Sequence, residues 1–140
     1  MKRGASAVWK GGLKDGKGTF SVDSGAFRGA AYSFTTRFES TPGTNPEELV
    51  AAAHAGCFSM AFSGELGKAG ITPESIETKA SLDLDKTEAG WTVKSIHLDV
   101  AAKVPNADRA KVQAAAEAAE KGCPISRLLN AQITMQLRLI

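Results

Sequence analysis

Thr44-Asn45-Pro46-Glu47-Glu48-Leu49, followed by the Ala-rich run through His54-Ala55-Gly56-Cys57-Phe58-Ser59 to Lys68, decides how this chain folds. Asn45 can cap a helix, Pro46 suits its first position, and Glu47 and Glu48 complement the dipole in its first turn. Little charge interrupts the segment until Glu65, and Phe58, Met60, Phe62 and Leu66 add bulk, so the spacing predicts one long, largely buried helix from about Leu49 to Lys68. Gly67 and Gly70 suit its end.

On the N-terminal side, glycine-rich turns separate three β-type runs: Ala5 to Trp9, Lys17 to Val22, and Tyr32 to Phe38. They read as an antiparallel meander. In the third run, period-2 alternation puts Tyr32, Phe34, Thr36 and Phe38 on one face, so Arg37 is expected to point away from the aromatics.

On the C-terminal side, segments from about Glu74 to Asp85 and Trp91 to Val104 alternate as a hairpin with one wet face. An amphipathic helix from about Ala107 to Lys121 ends at Gly122. Cys123-Pro124-Ile125-Ser126-Arg127-Leu128-Leu129 reads as a short helix with Cys123 at the cap and Pro124 first, and Gln132 to Leu139 as a closing strand. The expected class is α+β with predominantly antiparallel sheets.

The chain has 140 residues, 43% hydrophobic, 23% charged and 6% aromatic, which fits one globular domain spanning 1–140. Seventeen basic against fifteen acidic residues leave a charge of +2 with no basic stripe, so nucleic acid is not an expected partner. The sequence shows no apolar run approaching the roughly 20 residues that span a bilayer. Met1-Lys2-Arg3-Gly4-Ala5-Ser6 lacks the apolar core of a secretory signal, and the expected location is the cytoplasm.

Chemistry rests on two cysteines, too few for a disulfide scaffold. Cys57, mid-helix, has a bland reading as a small core hydrophobe. Cys123 at a helix N-terminus faces unpaired N–H groups that favour a thiolate, and that argument alone selects it as the more reactive thiol. Arg37 and Glu47 matter if they reach a cysteine: a guanidinium stabilises the thiolate, and a carboxylate can hold the guanidinium through two bonds. Otherwise Arg37 is a solvated strand residue and Glu47 a first-turn acid. Glu48, three residues after Asn45, has a capping role. His54, Cys57, Cys123 and His97 could in principle hold a metal, but no tight Cys-x-x-Cys pair is present, and an interior, hydrogen-bonded His54 is the simpler reading.

Four segments occur in register: Phe34-Thr-Thr-Arg37-Phe-Glu39, Gly43-Thr-Asn-Pro-Glu47-Glu-Leu49, Ala52-Ala-His-Ala-Gly-Cys57-Phe-Ser-Met60 and Gly122-Cys-Pro-Ile-Ser126. Together they resemble the OsmC/Ohr family of thiol peroxidases, in the OsmC branch, over essentially the whole chain. The resemblance implies an OsmC-like fold and a hydroperoxide reductase needing no haem, metal or other cofactor. It implies Cys57 as the peroxidatic cysteine, Cys123 as the resolving one, and Arg37 with Glu47 as the pair that activates the thiolate and orients the peroxide. A dithiol or lipoyl-type reductant would reset the resulting disulfide. The rival expectation is a non-enzymatic, stress-related binding or structural dimer with buried cysteines.

One inference adds to the resemblance. Ten residues separate Glu47 from Cys57 on one expected helix, about 15 Å along its axis, so they cannot share a site within it. If both serve one centre, Arg37 and Glu47 arrive from a second subunit, and the chain is an intertwined homodimer with composite sites. A partly apolar pocket, with Phe38, Phe58 and Met60 as walls, is expected to favour organic hydroperoxides.

Overall fold

A computed structural model describes all residues, Met1–Ile140. The chain divides into two compact units, Met1–Leu49 and Val50–Ile140.

The first unit holds an antiparallel meander of β1 (Ala5–Lys10), β2 (Lys17–Val22) and β3 (Arg28–Ser33), paired in sequence order. Register sets Trp9 opposite Gly18 and Gly18 opposite Tyr32. Gly18 is buried between those rings, where a Cβ would collide with both. Its missing side chain lets the Tyr32 ring stack on Phe20 at 3.9 Å and lie 5.4 Å from Trp9.

Of the expected third strand only Tyr32 and Ser33 are in a strand, since β3 stops at Ser33 and Phe34–Phe38 is a short helix, α1. Ser33 Oγ accepts from the Thr36 N–H while Thr36 Oγ1 accepts from the Ser33 N–H, a reciprocal cap that turns the chain out of the sheet. The aromatic spacing that suggested a strand face is also the i, i+4 spacing of a helix, and Phe34 and Phe38 meet at 5.0 Å.

Asn45 joins α1 to the long helix that follows, α2 (Pro46–Lys68). Its Oδ1 accepts from the Glu48 N–H at 2.8 Å, capping α2, while its Nδ2 donates to the Thr36 carbonyl at 3.1 Å.

In the second unit, β4 (Ser75–Thr87) and β5 (Gly90–Lys103) form the expected hairpin. Then follow α3 (Arg109–Gly122), capped by Asp108 through the Ala110 and Lys111 N–H groups, α4 (Pro124–Leu128) and β6 (Gln132–Leu139). β6 lies beside β5 and parallel to it, so the sheet is mixed and α3 and α4 form the crossover. The core gathers Phe58, Phe62 and Leu66 from α2, Ile96, Leu98, Val100 and Ala102 from β5, and Val112, Ala115, Ala116 and Ala119 from α3. Burying each of the larger side chains contributes about 1.5–3 kcal/mol.

Helix α2 corrects two expectations. It is long and apolar enough, by length and composition, to cross a membrane. The core helix of a globular protein passes the same test, and here Phe58, Phe62 and Leu66 are committed to the core. Nor is it largely buried, because only His54, Phe58, Phe62 and Leu66 are covered and Met60 is 81% exposed. Ala53, Gly56, Met60, Gly64 and Gly67 leave an uncharged stripe open on the other side.

Candidate active site

The second unit brings the two cysteines together. Cys57 stands on the fourth turn of α2, half-buried, and Cys123 is the fully buried N-cap of α4. Their sulfurs lie 2.6 Å apart as free thiols. The helix-terminus argument finds its target in the wrong sulfur: the Cys123 thiol makes no capping bond, and the Ile125 N–H in the first turn of α4 is directed at Cys57. Burial pushes the Cys57 thiol above its ordinary pKa and the Cys123 thiol beside it adds to the rise, while the Ile125 N–H pulls the other way. Within one chain, Cys57 is therefore held as a thiol.

One turn before Cys57, His54 is wholly buried and its Nε2 lies 2.8 Å from Ser126 Oγ. Burial lowers its pKa, which keeps the ring neutral near pH 7. Ser126 and the Ile125 N–H were missed in the sequence. Ser126 stands three residues after Cys123 as His54 stands three before Cys57, and that matched spacing was the available signal. His97 bonds through Nδ1 to Thr134 in the sheet, and no three His, Cys, Asp or Glu side chains gather in ligand geometry.

The first unit brings Arg37 and Glu47 together. Arg37 Nε donates to both Glu47 carboxylate oxygens at 3.0 and 3.1 Å, and a second guanidinium nitrogen reaches Oε1 at 2.7 Å. Glu47 is 14% exposed and Arg37 36%, so the pair is half sheltered from water. The Asn45 link between α1 and α2 sets this geometry.

Arg37 does not point away from the aromatics, because α1 rotates it out of the expected strand face. Its guanidinium lies 4.9 Å from the centroid of the Phe38 ring. A cavity of about 250 Å³ opens beside it, lined by Trp9, Leu13, Tyr32, Phe34 and Phe38. Of the expected pocket walls, Phe38 lines this cavity. Phe58 is sealed in the core of the other unit, and Met60 is exposed.

Comparison with known proteins agrees with this architecture. A family model described as OsmC-like protein matches residues 38–138. The chain is 48% identical over 133 residues to a protein named Peroxiredoxin OsmC from Escherichia coli (strain K12), covering 95% of this chain and 93% of that one. It is 32% identical over 102 residues to the Organic hydroperoxide resistance protein OhrB of Bacillus subtilis (strain 168), covering 72% and 73%. The crystal structure of OhrB from Bacillus subtilis superposes with a TM-score of 0.66 at 26% identity, over 98% of each chain. An OsmC-like protein of Vibrio cholerae shares the fold, with a TM-score of 0.79 at 17% identity over 99% of each chain. A match that runs from the end of α1 to the end of β6, joined by close identity along nearly the whole sequence, means that this chain belongs to the OsmC-like protein family.

Proposed function

We propose that this thiol-dependent peroxidase reduces organic hydroperoxides through Cys57, with Cys123 as the resolving thiol. The observation that carries the reading is the 2.6 Å separation of two sulfurs 66 residues apart in sequence. The Cys57 thiolate attacks the peroxide, an S–O bond forms as the O–O bond breaks, and the alkoxide leaves as an alcohol after taking a proton. The sulfenic acid is then attacked by Cys123, the S–S bond forms as the S–O bond breaks, and hydroxide leaves as water. A dithiol or lipoyl-type reductant returns both thiols by exchange. The names of the relatives, a peroxiredoxin and an organic hydroperoxide resistance protein, support the substrate class. So does the aromatic cavity beside Arg37.

The chain acts as an intertwined homodimer, each 1–140 chain a single OsmC-like domain. Two observations support this. Every buried hydrophobic side chain lies at Phe58 or later, so the first 49 residues have no buried core of their own. The uncharged stripe of α2 is a face suited to a second helix. In that dimer, Arg37 of the partner subunit and Glu47 of the partner subunit serve Cys57, offsetting the burial that holds its thiol protonated. Two free cysteines and no disulfide framework suit the reducing cytoplasm.

The test is stoichiometric titration of the reduced chain with cumene hydroperoxide, followed by thiol counting and intact mass. Wild type is expected to lose two thiols per peroxide. Cys123→Ser should consume one equivalent without forming the internal disulfide, and Cys57→Ser should be unreactive. Survival of both thiols in excess peroxide would replace the peroxidase with a binding or structural dimer.

A further inference from the structure

Two contacts join α2 to α4, and they are spaced alike. On α2, His54 precedes Cys57 by three residues, and on the C-terminal side Ser126 follows Cys123 by three. Cys57 meets Cys123 at 2.6 Å and His54 meets Ser126 at 2.8 Å, two rungs whose order reverses between the helices.

The second rung is not explained by packing. His54 is wholly buried and Ser126 is 8% exposed, yet His54 Nδ1 has no hydrogen-bond partner. A buried imidazole with one nitrogen unsatisfied carries a penalty that Phe or Leu at the same position would avoid. What histidine supplies here is the bond from Nε2 to the serine hydroxyl.

The first rung changes chemically in each cycle, and the Ile125 N–H contact also ends on sulfur. The His54–Ser126 rung contains no redox-active atom. Helix α4 has only five residues and follows Gly122, too short a helix to hold its place by its own backbone bonds. We propose that the His54–Ser126 hydrogen bond is a redox-independent clamp that registers α4 on α2 and keeps Cys123 opposite Cys57 while Cys57 is a sulfenic acid. His54 and Ser126 are thus positioning residues for disulfide closure. The step they serve is attack of the Cys123 thiolate on Cys57 Sγ, with the S–S bond forming, the S–O bond breaking and hydroxide leaving as water. The gain is one of orientation: a thiolate and a sulfenic acid held face to face react as an intramolecular pair. The clamp's role in the catalytic cycle rests on the peroxidase reading, but its effect on the thiol–disulfide equilibrium does not require a peroxide.

Full-length wild type, Ser126→Ala, Ser126→Thr and His54→Phe are equilibrated in dithiothreitol redox buffers and their thiols counted. Circular dichroism establishes that each variant is folded. Ser126→Ala and His54→Phe are expected to lower the equilibrium constant for the Cys57–Cys123 disulfide about tenfold, equivalent to about 30 mV for this two-electron couple. Ser126→Thr keeps a hydroxyl and is expected to restore the wild-type value. In excess cumene hydroperoxide, the first two variants should accumulate sulfinic acid on Cys57. An unchanged equilibrium in Ser126→Ala or His54→Phe overturns the clamp, as does failure of Ser126→Thr to restore it. If Ser126→Ala does not fold, His54→Phe, which fills the space without the bond, decides the matter. A wild-type chain that closes the disulfide in redox buffer but ignores hydroperoxides would remove the peroxidase reading and leave the clamp standing.

Discussion

Arg37 and Glu47 form a fork, with two guanidinium nitrogens on one carboxylate at 2.7 to 3.1 Å, and the orientation of that fork is set by Asn45, which touches both helices involved. A charge held by two bonds has a direction as well as a sign. Lysine offers a point charge on a flexible stem and cannot reproduce it. Arg37→Lys is therefore expected to slow oxidation of Cys57 by cumene hydroperoxide about 10²-fold, the scale of losing one oriented donor. Stopped-flow measurement of the first thiol lost checks this, and a rate within threefold of wild type would reduce Arg37 to a surface charge.

The same fork depends on the turn into α1. Ser33→Ala removes one half of the reciprocal cap with Thr36 and should lower stability by about 1 kcal/mol. Urea denaturation reads the loss, and the peroxide rate should fall in parallel, though by less than in Arg37→Lys.

On the proposed reading, substrate preference follows from the aromatic cavity. Trp9→Leu trims one wall while leaving Arg37 and its ring contact with Phe38 in place. The expected result is a drop of about tenfold in kcat/KM for cumene hydroperoxide. Hydrogen peroxide has no organic tail to place there, so its kcat/KM should hold within twofold. Equal losses for both would assign the cavity no role in selection.

His54 makes stability depend on pH in a definite direction. Burial holds its folded-state pKa below the unfolded value of about 6.5. Above about pH 6.5 the ring is neutral in both states, and its contribution is fully present. As pH falls below that value the unfolded chain takes up a proton that the folded chain refuses, so stability is lost down to the folded pKa, with a slope up to about 1.4 kcal/mol per pH unit. The unfolding free energy of wild type minus that of His54→Phe should accordingly fall on acidification. Parallel pH profiles would contradict it.

The proposed homodimer can be tested on the open side of α2. Met60 is 81% exposed in the single chain, so a charge there should cost an isolated subunit almost nothing. Within a helix-to-helix interface the same charge would be buried unpaired. Met60→Glu is expected to give a folded monomer by light scattering, with peroxide reduction abolished because the composite sites are lost. Persistence of full activity in a monomer would refute the composite site.

Much of the architecture was legible in the sequence. Lys17–Val22 is the strand that the alternation marks, and Gln132–Leu139 is the closing strand, while the Asn45-Pro46 signal starts α2 where expected. Cys123 and Pro124 open a short helix, as their order indicates. The error at Phe34–Phe38 came from a spacing that two periodicities share, and the Ser33–Thr36 cap decided between them. The parallel pairing of β6 with β5 was not legible, because strand alternation is the same in either direction. Within the site, sequence offered the candidate residues but not their meetings. Nothing local in Cys57 or Cys123 indicates that they adjoin, and the helix-cap argument named Cys123, whereas the N–H it invoked faces Cys57.

The parallel crossover gives the two cysteines a second consequence. Cys57 lies before the β4–β5 hairpin and Cys123 lies after α3, so a bond between them closes a covalent ring of about 67 residues around the hairpin and much of the core. In the chain-entropy account, a ring of that size restricts the unfolded chain enough to add about 4 kcal/mol to folding. In the proposed cycle, the oxidised molecule waiting for its reductant would thereby be the hardest form to unfold or digest. The oxidant that consumes its thiols would then also lace the chain shut, and the reductant that restores them would loosen it again.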